Sequence, residues 1–212
     1  MKKWVVLAGL ALAIAAGVNF RWNRVKEVID GDTFTLGNGQ RVRLLGIDAP
    51  EMEWCGGPEA KTMLEELVLG RMVRLGEVRG DRYGRVLGLA YVGNTFINEK
   101  MLRAGAARWD GNLNSEEKLL RAASDFAREK KIGIFSDKCR PEVNREKPEC
   151  LIKGNIDKTT GRKMYHFPGC IEFQTTIVEK DLGEEWFCTE KDAAAAGYVK
   201  SEHCPDNMDS GI

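Results

Sequence analysis

Three short charged stretches of this chain could act together on a phosphate ester: Asp30-Gly31-Asp32-Thr33, then Arg43-Leu44-Leu45-Gly46-Ile47-Asp48-Ala49-Pro50-Glu51, then Asp81-Arg82-Tyr83-Gly84-Arg85. Asp32 and Asp48 fall at the ends of neighbouring predicted strands, where they can offer hard oxygen ligands to one cation, with waters filling its remaining positions. Oxygen-only ligation selects calcium or magnesium over zinc. Water entering a phosphodiester adds negative charge to the equatorial oxygens, so cationic forks are needed beside it. Arg43 and Arg85 are the natural pair, because a guanidinium binds two phosphate oxygens at once and stays charged. Glu51, next to the cation site, could orient or deprotonate the attacking water.

Taken singly, each stretch has a bland reading. Asp-Gly-Asp is a turn, Arg43 is half of a surface ion pair of about 0–1 kcal/mol, and Tyr-Gly-Arg is another turn. What outweighs those readings is the joint pattern of two acids, two arginines and a third acid, in this order and on these predicted elements.

The elements that must position them read as short strands at 25–29, 33–36 and 41–47, with Gly37-Asn38-Gly39 as a tight hairpin turn between the last two. Pro58 at a favoured first helical position and Gly70 at a stop enclose an amphipathic helix over 59–69. Strands at 72–75 and 86–92 flank the polar turn that holds Asp81 to Arg85. Helices follow at 96–104, ended by Gly105, and from Ser115 as N-cap to about 131, with Glu116 and Glu117 in the first turn. Five strands with a helix between the third and fourth give an α+β chain built on a five-stranded OB-type β-barrel with three helices. Fold alone leaves function open.

On these motifs the chain resembles the staphylococcal nuclease, or thermonuclease, family, over roughly residues 25–135. The resemblance implies an endonuclease that hydrolyses DNA and RNA with one calcium ion and leaves 3′-phosphates. It implies Asp32 and Asp48 as calcium carboxylates, with Ala49 as a ligand through its backbone carbonyl. Arg43 and Arg85 become the phosphate-binding arginines, Glu51 the carboxylate acting on water, and Arg82 and Tyr83 contacts to the terminal phosphate. Asp81 belongs to the same turn. The chain is shorter than the best-known member between Glu51 and Pro58 and between Gly105 and Ser115. Two tyrosines of the family's nucleotide pocket have no counterpart there, which leaves Trp54 or Trp109 as candidate stacking faces for a base, worth about 1–3 kcal/mol. The competing reading is a catalytically silent barrel that binds nucleic acid or protein.

The 32 basic and 32 acidic side chains cancel, so no global field draws the chain onto phosphate. Lys2 and Lys3 followed by an apolar run over 4–18 form a leader, 1–23, that reads as a signal peptide or, uncleaved, a membrane anchor. The expected place is therefore secreted or membrane-anchored, outside the cytoplasm, and the expected state a monomer. The barrel domain is assigned to 24–138, a linker to 139–149, and a small cysteine-containing domain to 150–212. The even cysteine set, Cys55, Cys139, Cys150, Cys170, Cys188 and Cys204, favours disulfides in an exported chain, with connectivity open. The alternative is a zinc ion on His166, Cys170, Cys188 and Cys204. It is the less favoured, because no Cys-x2-Cys pair is present; with disulfides instead, His166 is a packing or surface residue.

Overall fold

The structure is a computed structural model that describes residues 23–206; the leader lies, but for its last residue, outside them. Strands β1 (Asn23–Val28), β2 (Thr33–Leu36) and β3 (Arg41–Leu44) form a meander. Gly37-Asn38-Gly39 makes the expected turn, with the Gly39 amide donating to the Leu36 carbonyl and Thr35 opposite Arg41. The sequence reading carries the third strand on to residue 47, whereas β3 stops at Leu44. Gly46 adopts φ +81°, left-handed backbone that breaks the ladder, and Ile47–Asp48 becomes a separate strand, β4. A side chain at Gly46 would also meet Asn114 at 2.8 Å and Leu120 at 2.9 Å.

Helix α1 (Gly57–Val68) follows, with Pro58 in its first turn and Gly70 in the left-handed conformation after its end. It buries Ala60, Leu64 and Val68, the i, i+4, i+8 stripe the sequence predicts. Strands β5 (Met72–Gly80) and β6 (Val86–Val92) pair antiparallel, and β3 pairs parallel with β6. That last pairing closes the five strands, in order β3-β2-β1-β5-β6, into a barrel. Its interior is apolar, with Phe34, Val42, Leu64, Val73, Ile97, Met101, Leu102 and Leu120 all at 0% exposure.

Strand β7 (Thr95–Phe96) leads into helix α2 (Ile97–Arg103), and β8 (Arg108–Trp109) pairs antiparallel with β4. Helix α3 (Glu117–Glu129) starts differently from the expectation of a Ser115 cap. Its N-cap is Glu116, without a side-chain cap bond, because Asn114 Oδ1 accepts from the Glu116 amide at 2.9 Å while the Ser115 amide donates to Glu77. Asn114 forms an Asx turn that does the work assigned to the serine.

The tail forms a four-stranded sheet of β9 (Ile152–Ile156), β10 (Lys163–His166), β11 (Trp186–Phe187) and β12 (Val199–Lys200), in order β11-β9-β10-β12. A short helix, α4 (Glu190–Ala195), is capped by Thr189. Ile152, Tyr165, Phe167, Phe187, Ala193 and Tyr198 make its own apolar cluster. Three disulfides join Cys55 to Cys139, Cys150 to Cys188 and Cys170 to Cys204. The four-residue zinc set is thereby excluded: Cys170 and Cys204 are bonded to each other and Cys188 to a cysteine outside the set.

The tail lies against the barrel. Trp54 packs on Gly183, whose added Cβ would sit 2.6 Å from the indole, and the Lys180 amide donates to the Cys139 carbonyl at 2.8 Å. Arg108 is ion-paired with Asp181, and Arg140 with Glu179 at 2.8 Å. Among the described residues no helix is long and apolar enough to cross a membrane.

Candidate active site

Asp32 stands at the head of β2, 2% exposed. Thr33 Oγ1 donates to its Oδ1 at 2.8 Å, and the Ala49 amide donates to Oδ2 at 3.0 Å. Arg43, an outward residue of β3, donates from Nη1 to Asp32 at 2.7 Å and from Nη2 to Asp48 at 2.5 Å. The break at Gly46 makes this possible, since it turns Asp48 and Ala49 back toward Asp32 instead of along the strand. Gly31 lets helix α1 approach: a Cβ there would lie 2.6 Å from Ala60 Cβ and 2.7 Å from Ala49 Cβ.

The charge balance of this cluster favours a cation. Burial pushes the Asp32 carboxyl up to about 7, with Arg43 opposing and Asp30 adding to the rise. Asp30 also accepts from the Asp32 amide at 3.0 Å. Three acids, Asp30, Asp32 and Asp48, therefore share one guanidinium, and the donors are all oxygen, as calcium or magnesium requires. Asp32, Asp48 and the Ala49 backbone fit such an ion.

The third stretch forms its own ordered turn. Asp81 Oδ1 accepts from the amides of Tyr83 (2.8 Å) and Arg85 (2.9 Å), and its Oδ2 accepts from Arg85 Nε at 2.7 Å. Arg82 and Arg85 lie over the Tyr83 ring at 4.9 and 5.4 Å, and Tyr83 is 67% exposed. In the parallel pairing Arg43 aligns with Leu87, two residues beyond Arg85. By strand alternation the two arginines leave the same side of the sheet.

Glu51 is exposed beyond β4, and its carbonyl accepts from the Trp54 amide at 3.0 Å. Its backbone is locked by Gly57, where a Cβ would lie 2.0 Å from the Glu51 carbonyl oxygen. Gly57→Ala must therefore displace Glu51; the expected result is a fall in kcat of at least tenfold with calcium affinity within twofold of wild type, read from initial rates and calcium titration. A change in neither would show that Glu51 tolerates the shift.

The structure thus gathers Asp32, Arg43, Asp48 and Ala49 into one cluster, gathers Arg82, Tyr83 and Arg85 into a second, and leaves Glu51 on an exposed loop. Trp54 and Trp109 are not open stacking faces: Trp54 is packed on the tail, and Trp109 lies on the barrel core under Arg121 at 5.6 Å. Sequence reasoning missed the contributions of Asp30 and Thr33, although both lie inside the motif it singled out. It also missed Arg108, which faces Asp48 across the β4–β8 pair. Nothing in the local sequence signals that arginine, because its partners Asp181 and Glu179 are more than seventy residues away.

Hard oxygen donors for one cation, bridged by the Arg43 guanidinium on a closed five-stranded barrel, define the class: a phosphodiesterase-type site on an OB-type barrel. A family described as staphylococcal nuclease homologue matches residues 41–137. An uncharacterized endonuclease of Escherichia coli is 37% identical over 118 residues, 54% of this chain and 76% of that protein. Protein ParB of Escherichia coli is 35% identical over 165 residues, 68% of this chain and 92% of its own length. A probable endonuclease, LCL3, of Yarrowia lipolytica is 37% identical over 112 residues, 46% of this chain and 50% of that protein. The chain belongs to the staphylococcal nuclease family.

Proposed function

We propose that the chain is a calcium-dependent endonuclease that hydrolyses phosphodiester bonds of DNA and RNA and leaves 3′-phosphates. The observation that carries this reading is the convergence of buried Asp32 with the part-exposed Asp48, Ala49 and Arg43 in one oxygen-rich, net acidic cluster. The endonuclease relatives support it. An ion held by Asp32, Asp48 and the Ala49 carbonyl would place positive charge on a phosphate oxygen. Arg43 holds both carboxylates with two of its five N–H donors and keeps others for phosphate. Arg85, oriented by Asp81, supplies the second fork. Glu51 takes the proton of the attacking water. Tyr83, with Arg82 beside it, offers an exposed aromatic surface next to the β2–β3 turn.

Export and an extracytoplasmic location, with or without a membrane anchor, complete the proposal. They are supported by the apolar leader behind Lys2 and Lys3 and by the pairing of all six cysteines. The protein acts as a monomer.

Cleavage of single-stranded DNA, measured with calcium, with chelator and for Glu51→Ala, tests the reading. Calcium-dependent cleavage that falls about 10²–10⁴-fold in the variant is expected; undiminished cleavage in chelator, or none with calcium, sinks it.

The raised Asp32 pKa adds a pH signature. The ion needs the carboxylate ionised, so calcium affinity should fall about tenfold per pH unit below about 7, with a proton released as each ion binds. Calcium titration at pH 6 and 8 in buffers of different ionisation enthalpy reads both effects. Equal affinity at the two pH values would contradict this role for Asp32.

A further inference from the structure

We infer that the tail carries a second metal site, of different chemistry from the barrel's, in which His166, Glu172 and His203 bind one zinc-like transition-metal ion. The observation behind it is a pair of buried acceptors that face each other. His166, 3% exposed, is held by Asn155, whose Oδ1 accepts from Nε2 at 3.0 Å. That bond puts the ring proton on Nε2 and leaves the lone pair of Nδ1 pointing at Glu172 Oε2, 3.7 Å away. Neither Nδ1 nor Oε2 has a hydrogen-bond partner, and both are buried. Two lone pairs opposed in this way repel unless something positive lies between them. Zinc bonds of about 2.0–2.1 Å to nitrogen and 2.0–2.2 Å to oxygen set tetrahedral donors about 3.4 Å apart, within a few tenths of an ångström of the gap observed.

The surroundings complete a metal-site pattern. His203 Nδ1 contacts the other oxygen of Glu172 from the solvent side, and as a 62% exposed side chain it is able to swing onto the ion. Asn155 is the outer-shell partner that metal-bound histidines ordinarily have on their second ring nitrogen. All four residues line a cavity of about 660 Å³, so a fourth position is open to water or a ligand. Two imidazoles and one carboxylate suit zinc, cobalt or nickel, whereas the all-oxygen barrel site suits calcium. The sulfurs of Cys170 and Cys204 also lie within 4.8 Å of His166, but they are spent on each other in a disulfide and are not thiolate donors.

The experiment uses the full chain, oxidised and free of titratable thiol, stripped with chelator and then saturated with calcium to fill the barrel site. Titration with zinc by calorimetry, and with cobalt by visible absorption, should show one equivalent bound, with nitrogen and oxygen ligand-field bands and no thiolate charge-transfer band. Because His166→Ala removes a buried side chain and could unfold the tail, the deciding variants are His203→Ala and Glu172→Gln. Each should weaken zinc binding at least tenfold without changing the circular dichroism spectrum or nuclease rate, and Asn155→Ala should weaken it about tenfold through loss of ring orientation. The inference is overturned if no zinc binds at tens of micromolar, or if zinc binding survives both deciding variants. Binding that appears only after reduction, with a thiolate band, would overturn it in favour of a site on His166 and the two cysteines. None of these outcomes depends on whether the barrel cleaves nucleic acid.

Discussion

Replacing Arg43 by alanine is expected to abolish cleavage and, unlike the loss of a merely catalytic group, to remove several kcal/mol of stability as well. Arg43 is the cation between two carboxylates, one of which is 2% exposed. Without it Asp32 is a buried charge with no cation beside it, left with only the Thr33 hydroxyl and the Ala49 amide, a change that costs about 3–5 kcal/mol out of the roughly 5–15 kcal/mol that holds a domain folded. The rate should fall at least 10²–10³-fold, the usual consequence of removing one preorganised donor from a developing phosphate charge.

The sign of the pH dependence separates this from simple misfolding. Asp32 already titrates near 7 in the folded chain, well above an unfolded carboxylate at about 3.9, so burial penalises the folded state most above pH 7. That penalty is relieved as pH falls through 7 toward 4, because the folded chain takes up a proton that the unfolded one does not. The variant should therefore be far less stable than wild type at pH 8 and close to it at pH 5. Calcium at pH 8 should restore stability without restoring rate. Urea unfolding at the two pH values, with initial rates at pH 8, measures all of this, and Arg43→Lys should recover more stability than rate because lysine keeps the charge but not the fork. Unchanged stability at pH 8 would remove Arg43 from the cluster's electrostatics.

The second large effect is expected at Asp181, 96 residues beyond Arg85, the end of the last nuclease motif. Asp181 is 1% exposed and ion-paired to Arg108, with Arg140 at 3.6 Å, while Glu179 lies 2.8 Å from Arg140 and 4.0 Å from Arg108. Asp181→Ala leaves two enclosed guanidinium groups short of a carboxylate and should destabilise the protein by about 3–5 kcal/mol. Arg108 faces Asp48 across β4 and β8 and already feels its charge. Once freed, it becomes a competitor for a carboxylate assigned to calcium in the proposed function. Asp181→Ala should therefore also weaken calcium at least severalfold, and the double variant Asp181→Ala with Arg108→Ala should recover calcium affinity. Deleting residues 141–212 should produce the same calcium defect in a folded barrel, since it removes both Asp181 and Glu179. Wild-type calcium affinity in the single variant would show that tail and site are uncoupled.

These two predictions mark where local pattern suffices and where it does not. The alternation over β1 to β3, the Gly-Asn-Gly turn, the Ala60, Leu64, Val68 stripe and the three charged motifs are all short-range features, and each led to its element or cluster. The structure departs from that pattern for two reasons: immediate neighbours, Gly46 within the third strand and Asn114 beside Ser115, and contacts from far along the chain. Asn114 and Glu77 displaced Ser115 from its expected cap, Gly46 cut the third strand, and Trp54 and Trp109 were taken up by packing instead of remaining open for a base.

The candidate site was legible in the sequence because it is built from residue types at fixed offsets: Asp32, Arg43, Asp48, Glu51, Asp81 and Arg85 are each recognisable within a turn or a strand. Which cysteines pair, that His166 faces Glu172 and His203 instead of joining a cysteine cluster, and that the tail's Asp181 and Glu179 take hold of Arg108 were decided only when the chain closed on itself. Those contacts join residues many positions apart, and a linear pattern holds no record of which distant charge will be brought, dehydrated, against which.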